Sequence, residues 1–186
     1  HGQLPDDVPL VVDLDGTLIH TDALVESALQ MVRGSPGSSL CMPGWVLKGK
    51  SGLKKEIASR TRINVATLPF NEPLIAWLRE QKSSGRTLIL CTASDSSIAM
   101  AIADHVGLFD KVMASDGITN LSGSNKADSL VSQFGLRGFD YAGNADVDMA
   151  VWRVAREAIV VNASTAVTKR AKALGNVSQV WPTSTR

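Results

Sequence analysis

The sequence predicts an α/β fold with a doubly wound, mainly parallel, Rossmann-like sheet and a small helical cap inserted after the first strand. Short runs rich in Val, Ile and Leu alternate with segments of helical periodicity from residue 70 onward. More than seventy residues separate the first two apolar runs, which is far more than one crossover connection needs. The chain has 186 residues and 44% hydrophobic residues, which is enough for one such domain to bury a core.

Six apolar runs are the predicted strands. Three of them, at 10–14, 87–91 and 158–161, are continuous rather than alternating in hydrophobicity, which is typical of parallel strands covered by helices on both faces. The other predicted strands are 111–114, 139–142 and 178–181. Helical periodicity predicts helices over 71–84, 94–106, 126–134 and 146–157, with Gly107 and Gly135 at the positions expected for C-terminal caps.

The long first connection predicts a division of the chain into a core of residues 1–20 and 68–186 and a cap of residues 21–67. Helical spacing in 22–33 and 53–62 is separated by a Gly/Ser/Pro-rich break at 34–39. Residues 44–51 formally match a nucleotide-binding P-loop. However, no buried strand precedes them, and Trp45 and its apolar neighbours fill the loop interior. We therefore expect these residues to pack in the cap or to face the active site.

Charge and cysteine content restrict the classes of partner. The chain has 19 basic and 18 acidic residues, a net charge of +1, which disfavours a nucleic-acid partner. The basic segment 48–62 is either a solvated helix face or a surface that attracts an anionic substrate or membrane. No apolar run approaches the ~18 residues needed to span a bilayer, and the two cysteines form no metal or redox motif. We expect a cytoplasmic protein.

Polar residues follow the ends of the predicted strands, where parallel sheets bind ligands. Asp13 and Asp15 are two residues apart, so both carboxylates leave the same side of an extended chain, and a bound Mg²⁺ would relieve their repulsion. Gly16 allows main-chain amides to approach an anion. Thr92 supplies a hydroxyl and Lys126 a cation for a phosphoryl group. These residue types predict phosphoryl transfer to a carboxylate.

The sequence resembles the haloacid-dehalogenase-like (HAD) phosphohydrolases in four ordered motifs: D-L-D-G-T at 13–17, Thr92, Lys126 and the acidic loop 143–148. The resemblance implies that Asp13 is the nucleophile that forms an aspartyl-phosphate and that Asp15 is the general acid and then the base. It also implies that Thr92 and Lys126 hold the phosphate and that the helical insert is a cap that closes over the substrate. The remaining implied roles are substrate binding by Gly16, Thr17, Ala93 and Ser94, and Mg²⁺ binding by Asp13, Asp15, Asn144 and Asp148.

One departure from the HAD pattern concerns the metal site. The family usually has Gly-Asp where this chain has Gly143 and Asn144, so the predicted metal shell loses one negative charge. Asp148 is the favoured remaining acidic ligand or water holder, ahead of Asp146. The predicted function is a Mg²⁺-dependent phosphatase acting on a small phosphomonoester. The alternative is a catalytically weakened HAD-like binding or regulatory module. A receiver-type signalling domain is disfavoured by the long insert and the Asp13-x-Asp15 spacing.

A narrower resemblance concerns the stretches 9–17, 114–120 and 139–143. They are similar to HAD-like domains that precede a membrane-embedded polyprenyl transferase in some bacterial proteins. This similarity implies that the chain is the soluble part of a longer membrane protein, at the cytoplasmic face of the membrane. It also implies a phosphorylated sugar or a prenyl-linked intermediate as the substrate.

Overall fold

Six parallel strands form one sheet. The structure, a computed structural model, describes residues 8–20, 65, 68–115 and 123–181. The strand order is β3-β2-β1-β4-β5-β6, and every pairing is parallel. Because the order changes direction at β1, the crevice expected for a ligand opens at the carboxyl ends of β1 and β4. This topology confirms the predicted doubly wound α/β fold. The strands are β1 (Leu10–Val12), β2 (Leu88–Asp95), β3 (Lys111–Ser115), β4 (Asp140–Gly143), β5 (Ala158–Val161) and β6 (Val177–Trp181).

Helices connect the strands and cover the sheet. They are α1 (Glu72–Ser83), α2 (Ser96–Val106), α3 (Gly123–Phe134), α4 (Met149–Trp152) and α5 (Thr165–Lys172). Helix α1 begins where the Asn71 side chain accepts a hydrogen bond from the Leu74 amide at 3.3 Å. Helix α2 ends at Gly107, which has a φ of 71° and closes the helix in the left-handed conformation that the sequence predicts there.

Two elements differ from their predicted boundaries by four residues or more. The predicted helix 146–157 is a 3₁₀ turn, Asp146–Asp148, followed by the short α4. The chain leaves α4 early because the Arg156 amide bonds to the Phe139 carbonyl at 2.7 Å and its guanidinium pairs with Asp140. Strand β2 runs four residues beyond the predicted end, with a register irregularity before Asp95 pairs with Ser115.

Side chains from alternate strand positions fill two cores, one on each face of the sheet. In β1, Leu10 and Val12 belong to one core and Val11 to the other, and all three are fully buried. This arrangement explains the continuous apolar runs, since both faces of each central strand are covered. A buried ion cluster lies at the other end of β4, where Asp140 contacts Arg86 and Arg156.

The two ends of the predicted cap insertion meet at the core. Ile19 forms an antiparallel bridge with Phe70, and the His20 amide donates to the Pro69 carbonyl at 2.8 Å. Apart from Val65, the predicted cap of residues 21–67 lies outside the described residues, as do the formal P-loop match and the basic segment 48–62. The cap and the domain boundaries therefore stay predictions. Within the described ranges, none of the helices is long and apolar enough to cross a membrane.

Candidate active site

The carboxyl end of β1 places Asp13 beside Lys126 of α3. The Asp13 amide donates to the Ala142 carbonyl at 3.0 Å, so the residue is anchored to β4 directly after the strand ends. Lys126 Nζ lies 2.9 Å from Asp13 Oδ1, although 113 positions separate the two residues in the sequence. Both side chains are buried. The fold therefore brings the first and third predicted motifs into direct contact.

Burial and neighbouring charge shift both pKa values in this pair. Burial raises the pKa of Asp13 to about 7, against the lowering effect of Lys126, and the carboxylates of Asp148 and Asp15 raise it further. Burial acts to lower the pKa of Lys126, but the negative groups around it, Asp13 foremost, more than offset this and leave the Lys126 pKa above its usual value. Lys126 is therefore a permanent cation next to the carboxylate that the motif predicts as the nucleophile.

Tyr141 of β4 connects Lys126 to Asp148. The Tyr141 hydroxyl accepts from Lys126 Nζ at 3.0 Å and donates to Asp148 Oδ1 at 2.8 Å. Burial, together with the charges of Asp13 and Asp148, holds the pKa of Tyr141 well above its usual value, so the hydroxyl stays protonated. Sequence reasoning missed this residue. The available signal was the single tyrosine of the chain, which lies in a predicted strand two positions before Gly143.

Asp148 closes the turn after β4. Its Oδ2 accepts from the amides of Asn144 and Ala145 at 2.9 and 3.1 Å. A Cβ on Gly143 would lie 2.7 Å from Asp148 Cγ, so only glycine leaves room for the carboxylate. With the bond from Tyr141, the two Asp148 oxygens accept three hydrogen bonds. The carboxylate thus organises the Asn144–Asp148 turn.

The Asn144 side chain lies against the turn that follows Asp15. Gly16 has a φ of 76°, and a Cβ there would lie 2.1 Å from Asn144 Nδ2. Thr17 Oγ1 donates to Asn144 Oδ1 at 3.5 Å, and Asn162 Nδ2 donates to the Gly16 carbonyl at 3.4 Å. The first and fourth motifs are therefore in direct contact through Asn144.

Strand β2 supplies the remaining predicted residues. Ser94 Oγ donates to Asp15 Oδ2 at 3.0 Å, and the Ser94 amide donates to Thr92 Oγ1 at 3.0 Å. Thr92 and Ser94 are buried, and Ala93 between them is half-buried. Ser94, predicted as a substrate contact, here holds the Asp15 carboxylate.

Asp146 lies on the surface, in an exposed ion pair with Arg170 at 2.6 Å. Its own carboxylate is 59% exposed. The fold thus joins Asp13 and Lys126, through Tyr141, to Asp148 and Asn144. It joins Asp15, through Ser94, to Thr92. Asp146 belongs to neither group and pairs with Arg170.

The oxygen atoms of the site suit a hard cation that has few protein ligands. Within the described ranges, no three His, Cys, Asp or Glu side chains group as metal ligands. The oxygens that the sequence resemblance assigns to a cation include those of the Asp13 carboxylate, the Asp15 carbonyl and the Asn144 side-chain amide. Mg²⁺ is commonly held by one or two carboxylates, waters and substrate phosphate, so this set fits Mg²⁺ with one carboxylate.

No protein-family model matches the sequence. An uncharacterized protein of Sinorhizobium fredii, y4nM, is 37% identical over 155 residues, which are 83% of this chain and 30% of that protein. The chain therefore spans about 30% of the length of this curated relative.

Solved structures resemble this one over nearly its whole length. A HAD family hydrolase from Salmonella enterica serovar Typhi has a TM-score of 0.64 and 13% identity, covering 95% of this chain and 68% of that one. A protein of unknown function from Bordetella pertussis has a TM-score of 0.69 and 16% identity over 95% and 98% of the two chains. A phosphoserine phosphatase with a phospho-aspartyl intermediate analogue has a TM-score of 0.61 and 15% identity over 95% and 93%. The chain therefore shares the fold of a HAD family hydrolase and of phosphoserine phosphatase, which is the fold that its four sequence motifs imply.

Proposed function

We propose that the chain is a Mg²⁺-dependent phosphatase that hydrolyses a small phosphomonoester through an aspartyl-phosphate on Asp13. The observation that carries the proposal is the buried Asp13–Lys126 pair at the carboxyl edge of a HAD-like sheet. A fixed cation next to a buried carboxylate suits attack on phosphorus, because it stabilises the negative charge of the phosphoryl oxygens during transfer. The likeness to phosphoserine phosphatase in fold supports the same reaction class.

The reaction has two balanced steps. In the first, an Asp13 oxygen attacks phosphorus, the bond from phosphorus to the leaving oxygen breaks, and the Asp15 carboxyl gives its proton to that oxygen. In the second, the Asp15 carboxylate takes a proton from water, whose oxygen attacks phosphorus. The bond between Asp13 and phosphorus then breaks, which releases inorganic phosphate and restores both carboxyl groups. The Ser94 hydroxyl orients Asp15 for both proton transfers.

Asp13, the main chain of Asp15 and Asn144 would hold the metal. When bound, Mg²⁺ supplies positive charge that offsets the charge of the phosphate and of the nucleophile. Asp148 would support these ligands without contacting the metal: it accepts a hydrogen bond from the Asn144 backbone N–H and so fixes that residue, or it holds a water ligand. Lys126 and Thr92 bind phosphoryl oxygens, and the main chain from Gly16 to Thr17 and from Ala93 to Ser94 completes the phosphate pocket.

We also propose a class of natural substrate and that the chain is part of a longer protein. A cap of residues 21–67 would select the substrate, for which a phosphorylated sugar or a prenyl-linked phosphate is proposed from the sequence resemblance. The relative from S. fredii is more than three times as long as the matched segment. This length supports the idea that the chain is one portion of a longer protein. A location at the cytoplasmic face of the membrane is proposed from the narrower sequence resemblance alone.

Asn144 favours a second candidate, a HAD-like module that binds a phosphorylated ligand with weakened turnover. Its amide replaces a carboxylate and contacts Thr17. The Asp148 oxygens already accept three hydrogen bonds within the fold. The negative charge available to a cation is therefore low.

Hydrolysis of p-nitrophenyl phosphate with and without Mg²⁺ separates these functions. We expect metal-stimulated turnover that falls by about four orders of magnitude in Asp13→Asn. Asp146→Asn is the matched control, because that acid lies on the same edge but pairs with Arg170 on the surface, and it should keep the wild-type rate. Turnover by wild type no higher than by Asp13→Asn would support the binding module.

The Asn144→Asp variant tests the metal site separately. It restores the missing carboxylate, so a lower Mg²⁺ concentration should give half-maximal activity. An unchanged Mg²⁺ dependence would remove Asn144 from the proposed metal shell.

A further inference from the structure

Tyr141 is the only tyrosine in the chain, and its hydroxyl lies inside the polar cluster of the candidate site. The ring is fully buried in the core beneath β4, whereas the hydroxyl contacts Lys126 and Asp148. We infer that Tyr141 is a positioning residue, which holds the Lys126 ammonium in place for the phosphoryl group and couples it to the Asn144–Asp148 turn. This inference rests on the proposed function.

The direction of the two hydrogen bonds is dictated by the partners. An ammonium only donates, and a carboxylate oxygen only accepts, so the Tyr141 hydroxyl must accept from Lys126 and donate to Asp148. A hydroxyl bonded on both sides in this way has one orientation. It therefore presents a lone pair to Lys126 at a fixed position, which a freely rotating hydroxyl would not do.

Lys126 needs fixed acceptors to hold one conformation, because its ammonium has three N–H donors on a flexible side chain. Within the described part of the chain, Asp13 Oδ1 and the Tyr141 hydroxyl accept two of its N–H groups, at 2.9 and 3.0 Å. Two fixed acceptors restrict the four rotatable bonds of the side chain to one arrangement. The third N–H then remains for a phosphoryl oxygen, in an orientation that is set before the substrate binds.

The neutral hydroxyl also separates two charged partners of Lys126. Asp148 reaches the ammonium through Tyr141, whereas Asp13 contacts it directly. Lys126 is therefore directed toward the nucleophile, and the turn that carries Asn144 is linked to the same cation through Asp148. Removing the hydroxyl would leave one N–H of Lys126 and one oxygen of Asp148 without their present partners in a buried site.

The first test is kinetic and uses Tyr141→Phe, which keeps the ring and removes only the hydroxyl. We expect kcat to fall about 10- to 100-fold, while the Mg²⁺ concentration for half-maximal activity changes by less than about threefold. Phe139→Leu is the matched control. Phe139 is buried in the same core two residues earlier, so this variant should lower thermal stability but keep kcat. A Tyr141→Phe enzyme that loses stability but keeps kcat would overturn the inference.

The second test uses the wild-type protein labelled with ¹³C at tyrosine Cζ alone, which gives one labelled signal because the chain has one tyrosine. Inorganic phosphate is the probe, and its binding is followed in parallel by calorimetry. We expect phosphate to shift the Cζ resonance of Tyr141 by more than its linewidth in wild type and not in Lys126→Met. Phosphate binding with an unchanged Cζ signal would refute the inference and leave the proposed function standing. A protein that neither binds phosphate nor hydrolyses p-nitrophenyl phosphate would refute both.

Discussion

Replacing Gly16 with alanine would place a methyl group in the space now occupied by the Asn144 side chain. The added Cβ would lie 2.1 Å from Asn144 Nδ2, whereas ordinary contacts begin at 3.4 Å, so the amide must retreat by about 1.3 Å. This movement would break the 3.5 Å contact with Thr17 and displace an oxygen of the proposed metal shell. A shift of about 1 Å at a reacting centre can lower the rate about 100-fold. The left-handed backbone adds a stability cost of about 1–2 kcal/mol.

Gly85→Ala separates the displacement of Asn144 from the stability cost of the left-handed backbone. Gly85 has a φ of 93°, but an added Cβ would meet nothing within 4 Å among the described residues. Both variants should lose roughly 2–8 °C in thermal midpoint, from the backbone cost alone. In hydrolysis of p-nitrophenyl phosphate at saturating Mg²⁺, kcat/KM should fall about 100-fold for Gly16→Ala and stay near wild type for Gly85→Ala. Equal activity of the two variants, within about threefold, would refute the argument that Asn144 must occupy this space.

Three further variants test other contacts. Gly143→Ala should lower kcat at least about tenfold, because its Cβ would lie 2.7 Å from Asp148 Cγ; an unchanged rate would show that Asp148 can move without effect. Asp140→Asn, which weakens a buried cluster with two arginines at the opposite end of β4 from the Asn144–Asp148 turn, should cost about 3–5 kcal/mol in urea unfolding with kcat retained, and a cost under about 1 kcal/mol would contradict the ion-cluster assignment. Asp110 accepts a hydrogen bond from Lys82, which holds the pKa of Asp110 below its usual value. The stability that Asp110 contributes is therefore present at neutral pH and lost as the pH falls through that lowered pKa, so Asp110→Asn and wild type should converge in thermal midpoint at low pH and differ most near pH 7.

Much of the core was predictable because its signals are local in sequence. The continuous apolar runs at 10–14 and 158–161 indicated strands buried on both faces, and the parallel sheet has this arrangement. Gly107 indicated a helix end, and it closes α2 in the left-handed conformation. The helix predicted over 146–157 was wrong in length, because the backbone bond from Arg156 to Phe139 is a tertiary contact that periodicity does not encode.

The candidate site also contains residues that the sequence predicted and contacts that it did not. Asp13 and Lys126 were predicted from the motifs, and the fold brings them together. The role of Ser94 as a partner of Asp15 was not predicted, nor was the Tyr141 hydroxyl between Lys126 and Asp148. Side chains of ordinary core types show their polar contacts only when strand register and helix position are known.

By itself, the sequence determined the parallel α/β architecture and the four positions at which polar groups leave its strands. Hydrophobic periodicity and short motifs act over a few residues, so they can be read without knowledge of the packing. Tertiary structure alone decided that Asp148 accepts three hydrogen bonds, that Asn144 fills the space above Gly16, and that Tyr141 meets Lys126. These contacts depend on the register of β1 against β4 and on where α3 lies over the sheet, to within fractions of an ångström, and no local pattern carries that information.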